Sequence, residues 1–280
     1  MSQTLELHRL EPFGVEVRGV DLRTVDDGQR SELAALLRQS HLLLFRGQEL
    51  AAEDQVTLLR SFGTVLDEHH NGTHHTFVSN TREDAAVKWS SRLPFHSDLG
   101  FTPSPYLGIS LYALEIDDDM PTVYANALAA CRDLPSELRA AVAAQKVVNA
   151  FGLDREAYHD DHRLRIQDLP AGTDMALYPH DEFPVIDRHP ITGDEFLRYS
   201  EMQTSYVAGV SERESEALIA RLYEHLYRPD HVYEHHWEVG DLVLWDNVAL
   251  QHGRPEFPGS AHRTLRRVVL GSQTMLDIYN

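Results

Sequence analysis

Four His-x-acid triplets occur in the 280-residue chain: His96-Ser97-Asp98, His159-Asp160-Asp161, His180-Asp181-Glu182 and His236-Trp237-Glu238. In an extended segment residues i and i+2 project to the same side, so each triplet could offer an imidazole and a carboxylate to one metal ion. With a second imidazole from elsewhere, such a donor set forms a facial triad, which leaves three positions on an iron(II) ion open for a co-substrate and dioxygen. The triplet itself is cheap. With 17 histidines and 44 acidic residues in 280 positions, random placement on this same-side rule gives about three copies, so the flanking residues must decide.

His159 and His180 stand in charged, irregular stretches with nothing apolar beside them to exclude water, which reads as solvated loop charge. His236 and Glu238 alternate as the polar face of a half-exposed strand would. His96 and Asp98 differ, lying in "LPFHSDLGF" between Phe95, Leu99 and Phe101. Burying an unpaired imidazole and carboxylate there is costly, and a metal removes that cost. The third donor should come from a distant strand, and "LWDNVALQHGRPEF" supplies His252. Standing alone, that histidine would read as a capped turn residue.

Downstream, "AHRTLRRVVLG" places Arg263 and Arg267 four residues apart, on one face of a strand with Leu265 between them. Guanidinium groups projecting inward from an apolar strand call for an anion, preferably a planar carboxylate. 2-Oxoglutarate makes that demand: its keto and C1 carboxylate oxygens chelate iron, and its C5 carboxylate needs a clamp some distance away. Arg266 is expected on the opposite face, at the surface.

The elements that must position these residues read as mainly β with helices. "LELHRLEPFGVEVRGV" gives two short strands about a Pro-Phe-Gly turn, "HLLLFRG" a buried strand, and "LGISLYALEI" another. "QRSELAALLRQS", "AAEDQVTLLRSFG" and "NALAACRDLP" read as helices, as does the whole of "PSELRAAVAAQKVVNAF". Residues 67–92 and 152–183 read as long loops, and the histidine-rich run 69–75 is a candidate lid. "PVIDRHPITGDEFLRYS" reads as a hairpin bent at Thr192-Gly193-Asp194, and "SERESEALIARLYEHLY" as a helix with a Ser211/Glu214 capping box. "VYEHHWEV", "DLVLWDNVALQHG" and "RTLRRVVLGSQ" are strand candidates. Strands pairing across long sequence distances favour a jelly roll, a double-stranded β-helix core decorated by N-terminal and inserted helices, with residues 1–280 as one domain.

Composition narrows the partners. A formal charge of −19 disfavours a nucleic-acid backbone or an anionic membrane as the target. No stretch is long and apolar enough to span a bilayer, and the start of the chain has no leader pattern. The one cysteine, Cys131, permits no intrachain disulfide and reads as a buried structural thiol. A cytoplasmic protein acting on a small molecule is the expectation.

Taken together, "VEVRGVDL", "HLLLFRGQEL", "LLRSFGTV", "FHSDLGFTPSP", "PTVYANALAACRDLP", "HPITGDEFLRYS", "LYEHLYRPDHVYEHHWEVGDLVLWDNVALQHG" and "HRTLRRVVLG" resemble, in order and spacing, the taurine dioxygenase and 2,4-dichlorophenoxyacetate dioxygenase family of Fe(II)/2-oxoglutarate-dependent oxygenases. The resemblance covers nearly the whole chain. It implies that His96, Asp98 and His252 ligate iron, that Thr122 and Arg263 hold the C5 carboxylate of 2-oxoglutarate, and that Arg267 lies near the substrate's anionic group. It implies hydroxylation of an unactivated C–H bond of a small, anionic metabolite, consuming dioxygen and forming succinate and carbon dioxide. Members of this length often form homo-oligomers. The substrate-side histidine of taurine-oxidising members falls near Glu68, His69 and His70, with His70 the expected counterpart. Trp245 and Asn247 are expected to pack beside the site. This chain departs from the pattern at Phe95, where tryptophan is common, and at Arg92, where taurine-oxidising members carry asparagine, so taurine is not the expected substrate. The readings set against this one are a zinc-dependent hydrolase or isomerase, which has no need of Thr122 and Arg263, and a non-catalytic binding protein on the same scaffold.

Overall fold

The computed structural model of the chain describes residues 5–85, 92–117, 119–152, 163–256 and 261–279. The first two strands, β1 (Glu6–Arg9) and β2 (Val15–Arg18), pair antiparallel around the Pro-Phe-Gly turn. Helix α1 (Asp27–Ser40) begins with a capping box of Asp26 and Gln29, which satisfies free backbone donors at its start. β3 (Leu42–Phe45), α2 (Ala52–Leu59) and β4 (Thr76–Ser79) follow. Next come β5 (Leu93–His96), β6 (Gly108–Ile116), β7 (Thr122–Asn126), α3 (Ala127–Arg132), α4 (Ser136–Val142) and β8 (Lys146–Ala150). β9 (His180–Pro184), the hairpin β10 (Ile186–Arg188) and β11 (Glu195–Leu197), and β12 (Thr204–Ala208) precede α5 (Glu212–Leu226), which carries the Ser211/Glu214 capping box. β13 (Val232–His235), β14 (Leu242–Asp246), β15 (Leu250–Arg254), β16 (Arg263–Leu270) and a terminal turn, α6 (Met275–Tyr279), complete the series.

The strands assemble into a seven-stranded sheet, β1-β2-β3-β14-β6-β16-β4, and a four-stranded sheet, β13-β7-β15-β5, beside sheets of three (β12-β8-β9) and two strands. This is the jelly roll. One face of the large sheet buries Leu33 and Leu37 of α1 and Val56, Leu58 and Leu59 of α2 against Leu43, Phe45, Leu242 and Leu244. The other face meets the four-stranded sheet, with Leu42, Leu111, Val243 and Trp245 packed against Tyr124 and Leu250. A sheet covered on both sides has no polar face, which is why β3 and β14 read as unbroken apolar runs.

Four expectations change. "DLVLWDNVALQHG" is two strands: Asp246 accepts hydrogen bonds from the backbone N–H of Val248 and Ala249, both at 3.0 Å, and the chain turns there from the large sheet into the small one. The run 135–151 is helical only to Val142, because β-branched Val147 and Val148 pair with β9 and β12, and that pairing overrides the helix preference of the preceding alanines. The 67–92 loop contains β4, an edge strand recruited by β16. The 152–183 stretch ends in β9, while its residues 153–162 lie outside those described. Among the described residues, no helix is long and apolar enough to cross a membrane.

Candidate metal centre

β5 and β15 are neighbours at the edge of the small sheet, and their register sets His96 directly opposite His252. Pro94 is tolerated because β5 is an edge strand with a register shift against β15. The two imidazole rings lie 4.3 Å apart, centre to centre. Asp98 Oδ1 sits 3.3 Å from His96 Nε2 and 4.0 Å from His252 Nε2. One donor atom from each of the three residues lies within 4.8 Å of the other two. Residues brought together from positions 96, 98 and 252 therefore converge as the spacing predicted.

Their chemistry suits a divalent cation. His96 Nδ1 lies 2.9 Å from the carbonyl of Pro94, which can only accept, so Nδ1 donates there and Nε2 is the nitrogen facing the other donors. Burial, with His96 alongside, pushes the His252 imidazole down to about 3, leaving it neutral and able to ligate. Burial alone would raise the Asp98 carboxyl, but Arg267 and the two imidazoles outweigh it and hold the group well below the usual carboxylate range. Two imidazoles and one carboxylate are the donors of an iron(II) facial triad.

The loop carrying Asp98 is fixed from behind. Asn247 accepts from the Asp98 N–H at 3.1 Å and donates to the carbonyls of Asp98 and Tyr106 at 3.0 and 2.9 Å. Trp245 rests against the His252 ring, with centroids 5.0 Å apart. Both residues thus pack beside the site as expected.

Arg263 and Arg267 line the same cavity as the three donors, together with Thr122 and apolar Leu93, Ile109 and Leu111. Arg263 donates to Thr122 Oγ1 at 2.7 Å, and Trp237 Nε1 donates to the same oxygen at 3.0 Å. With both acceptor sites of the hydroxyl engaged, its own proton is left to donate into the cavity. Arg263 is buried and pairs with no carboxylate among the described residues, and burial with Arg254 nearby lowers it to about 9. Such a cation stabilises an incoming anion strongly. Arg267 has internal partners instead: it donates to Asp98 Oδ2 at 2.7 Å and pairs with Glu68 Oε1 at 3.2 Å.

Two sequence expectations fail here. His70 does not line the cavity; it is half-exposed and paired with Asp277 at 3.3 Å and Thr274 at 3.2 Å, because its positive φ turns the side chain toward the C-terminal segment. Arg266 is buried, not at the surface, donating to Gln55 at 2.7 Å and to the Leu50 and Ala51 carbonyls at the start of α2. Arg92, the other candidate for a substrate anion, points one guanidinium nitrogen at both carboxylate oxygens of Glu201, at 2.7 and 2.8 Å. The discarded triplets behave as solvated charge where described: His180, Asp181 and Glu182 are exposed on β9, and His236 pairs with Asp119 at the surface. The His159 triplet lies outside the described residues. Cys131 is buried, which pushes its thiol up to about 11.

Three residues are given no role by the sequence reading: Arg254, which lines the cavity, and Trp237 and Glu68, which touch its lining through Thr122 and Arg267. Arg254 was accessible in principle, since it follows His252 by two residues on a strand and must share its side. Trp237 sat inside a rejected triplet. Glu68 is named only beside His69 and His70 as the neighbourhood of a substrate-side histidine, because its loop position has no periodicity to single it out.

A family model described as "Taurine catabolism dioxygenase TauD, TfdA family" matches residues 6–269. The chain belongs to that family. The alpha-ketoglutarate-dependent 2,4-dichlorophenoxyacetate dioxygenase of Cupriavidus pinatubonensis is 28% identical, over 93% of this chain and 94% of the relative. The (S)-phenoxypropionate/alpha-ketoglutarate-dioxygenase of Sphingobium herbicidovorans is 27% identical, over 90% of each chain. The crystal structure of a taurine dioxygenase from Burkholderia xenovorans has a TM-score of 0.76 to this fold at 26% identity, covering 96% of this chain and 91% of that one. All three of these proteins are dioxygenases by name, and none of the three supports a zinc hydrolase or a non-catalytic protein.

Proposed function

We propose that this TauD/TfdA family member is an iron(II)- and 2-oxoglutarate-dependent oxygenase that hydroxylates an unactivated C–H bond of a small metabolite, releasing succinate and carbon dioxide. The observation that carries the reading is one cavity lined by three convergent metal donors and by a buried guanidinium with no carboxylate partner among the described residues. A zinc hydrolase needs the donors but has no use for that cation.

In this reading His96, Asp98 and His252 hold the iron, and Arg263 with the Thr122 hydroxyl binds the C5 carboxylate of 2-oxoglutarate. Trp237, by donating to Thr122, keeps that hydroxyl pointed at the anion. When bound, iron with 2-oxoglutarate and dioxygen supplies the oxidising power for removing hydrogen from carbon. The chain's contribution is orientation and dryness: Leu93, Ile109, Leu111 and Trp245 wall the cavity against water, and Asn247 holds the Asp98 loop at a fixed distance from the histidines. Residues 1–280 act as one domain, supported by the core cluster shared between the two sheets. A reducing cytoplasm suits the lone buried thiol.

The test is spectroscopic and chemical. Anaerobic protein given iron(II) and 2-oxoglutarate should develop a visible charge-transfer band, and admitting air should yield succinate. His252→Ala should lose the band and retain little iron by metal analysis. Wild-type protein that binds iron yet gives neither band nor succinate ends the proposal.

A further inference from the structure

Arg267 stands where the family resemblance expects a substrate anion, yet the chain surrounds it with its own carboxylates. One arm donates to Asp98 Oδ2 at 2.7 Å, the oxygen turned away from the histidines, so metal binding through Oδ1 leaves this pair in place. The other arm faces Glu68 Oε1 at 3.2 Å. Glu68 is built in: Tyr106 donates its hydroxyl to Oε1 at 3.1 Å, and Thr76 donates to Oε2 at 3.0 Å. The register of β4 with β16 sets Thr76 directly across from Arg267, so the sheet itself delivers the hydroxyl and the guanidinium to one carboxylate. The side chains of Arg267 and Glu68 are only 11% and 12% exposed.

We propose that Glu68 is the specificity-determining residue of the substrate pocket: its carboxylate fills the anion seat on Arg267, so substrates whose sulfonate or carboxylate must reach that guanidinium are refused, and the group presented there is neutral. This deepens the oxygenase reading and rests on it. A third anion beside Asp98 and Glu68 would face two negative charges for one cation. Displacing Glu68 would strip it of three donors in a poorly hydrated place. Any anionic group of the substrate is therefore held away from Arg267.

Butane-1-sulfonate and its neutral counterpart butyl methyl sulfone serve as matched probes, titrated calorimetrically into wild type and Glu68→Gln, each loaded anaerobically with iron(II) and 2-oxoglutarate. Wild type should prefer the sulfone by about tenfold or more. Glu68→Gln should bind the sulfonate about tenfold more tightly than wild type, and Glu68→Gln/Arg267→Gln should lose that gain. Wild type taking the sulfonate as readily as the sulfone overturns the inference. So does a folded Glu68→Gln with no gain for the sulfonate. Should Glu68→Gln fail to fold, the wild-type pair of titrations decides. Repeating them on metal-free protein reads the pocket's charge preference independently of the charge-transfer band, so failure of the oxygenase reading is told apart from failure of this one.

Discussion

Arg263 and Arg267 are the same residue type on the same face of β16, four positions apart and lining one cavity. Their electrostatic settings are opposite. Arg267 is saturated by Asp98 and Glu68, whereas Arg263 pairs with no carboxylate among the described residues and meets the Thr122 hydroxyl, the Trp237 ring and the repulsion of Arg254. A saturated cation stabilises the fold and has little left for a ligand; an unsaturated one costs stability and binds what arrives. One strand thus carries a structural arginine and a ligand-binding arginine, and the carboxylates around each decide which is which.

The contrast breaks most visibly in stability. Arg267→Met should destabilise the metal-free protein by about 3–5 kcal/mol in urea denaturation, because it leaves two buried carboxylates facing each other. Arg263→Met, measured the same way, should leave stability unchanged or raise it. Equal losses for the two variants would erase the distinction. The next effect lies in the co-substrate: Arg263→Met should weaken 2-oxoglutarate binding by about 2 kcal/mol or more, roughly thirtyfold, read as the midpoint of the charge-transfer titration. An unchanged midpoint would remove Arg263 from its proposed role. Smallest is Trp237→Phe, which keeps the ring near Arg263 but deletes the donor to Thr122. Its cost to 2-oxoglutarate affinity should be about 1 kcal/mol, with the iron content unaffected. A loss of iron would mean that Trp237 supports the metal end instead.

Much of the site was legible because its signals are periodic. His96 and Asp98 announce themselves by an i, i+2 spacing within apolar flanks, and Arg263 and Arg267 by even spacing along a strand. The strands from β3 to β16 that read as apolar runs are those buried on both faces. What stayed hidden depends on partners remote in sequence. Glu68 matters only because β4 joins β16 and brings Thr76 opposite Arg267. Arg266 looked like a surface residue because a strand's other face is often wet, but here α2 covers it and Gln55 accepts its N–H. Residues 146–150 read as helix because alanine-rich context outweighed two valines, until β9 and β12 supplied hydrogen-bond partners. His70 followed the family pattern into the wrong place, since a backbone turn of φ +51° points it at Asp277.

Gly253, next to His252, touches the neighbouring strand so closely that a β-carbon there would lie 2.9 Å from the Leu93 carbonyl oxygen. Any larger residue would wedge β5 away from β15 and draw the two imidazoles apart with them. Their spacing is therefore tied to the backbone ladder, and an ion held between them must have a radius that suits the gap the two strands set.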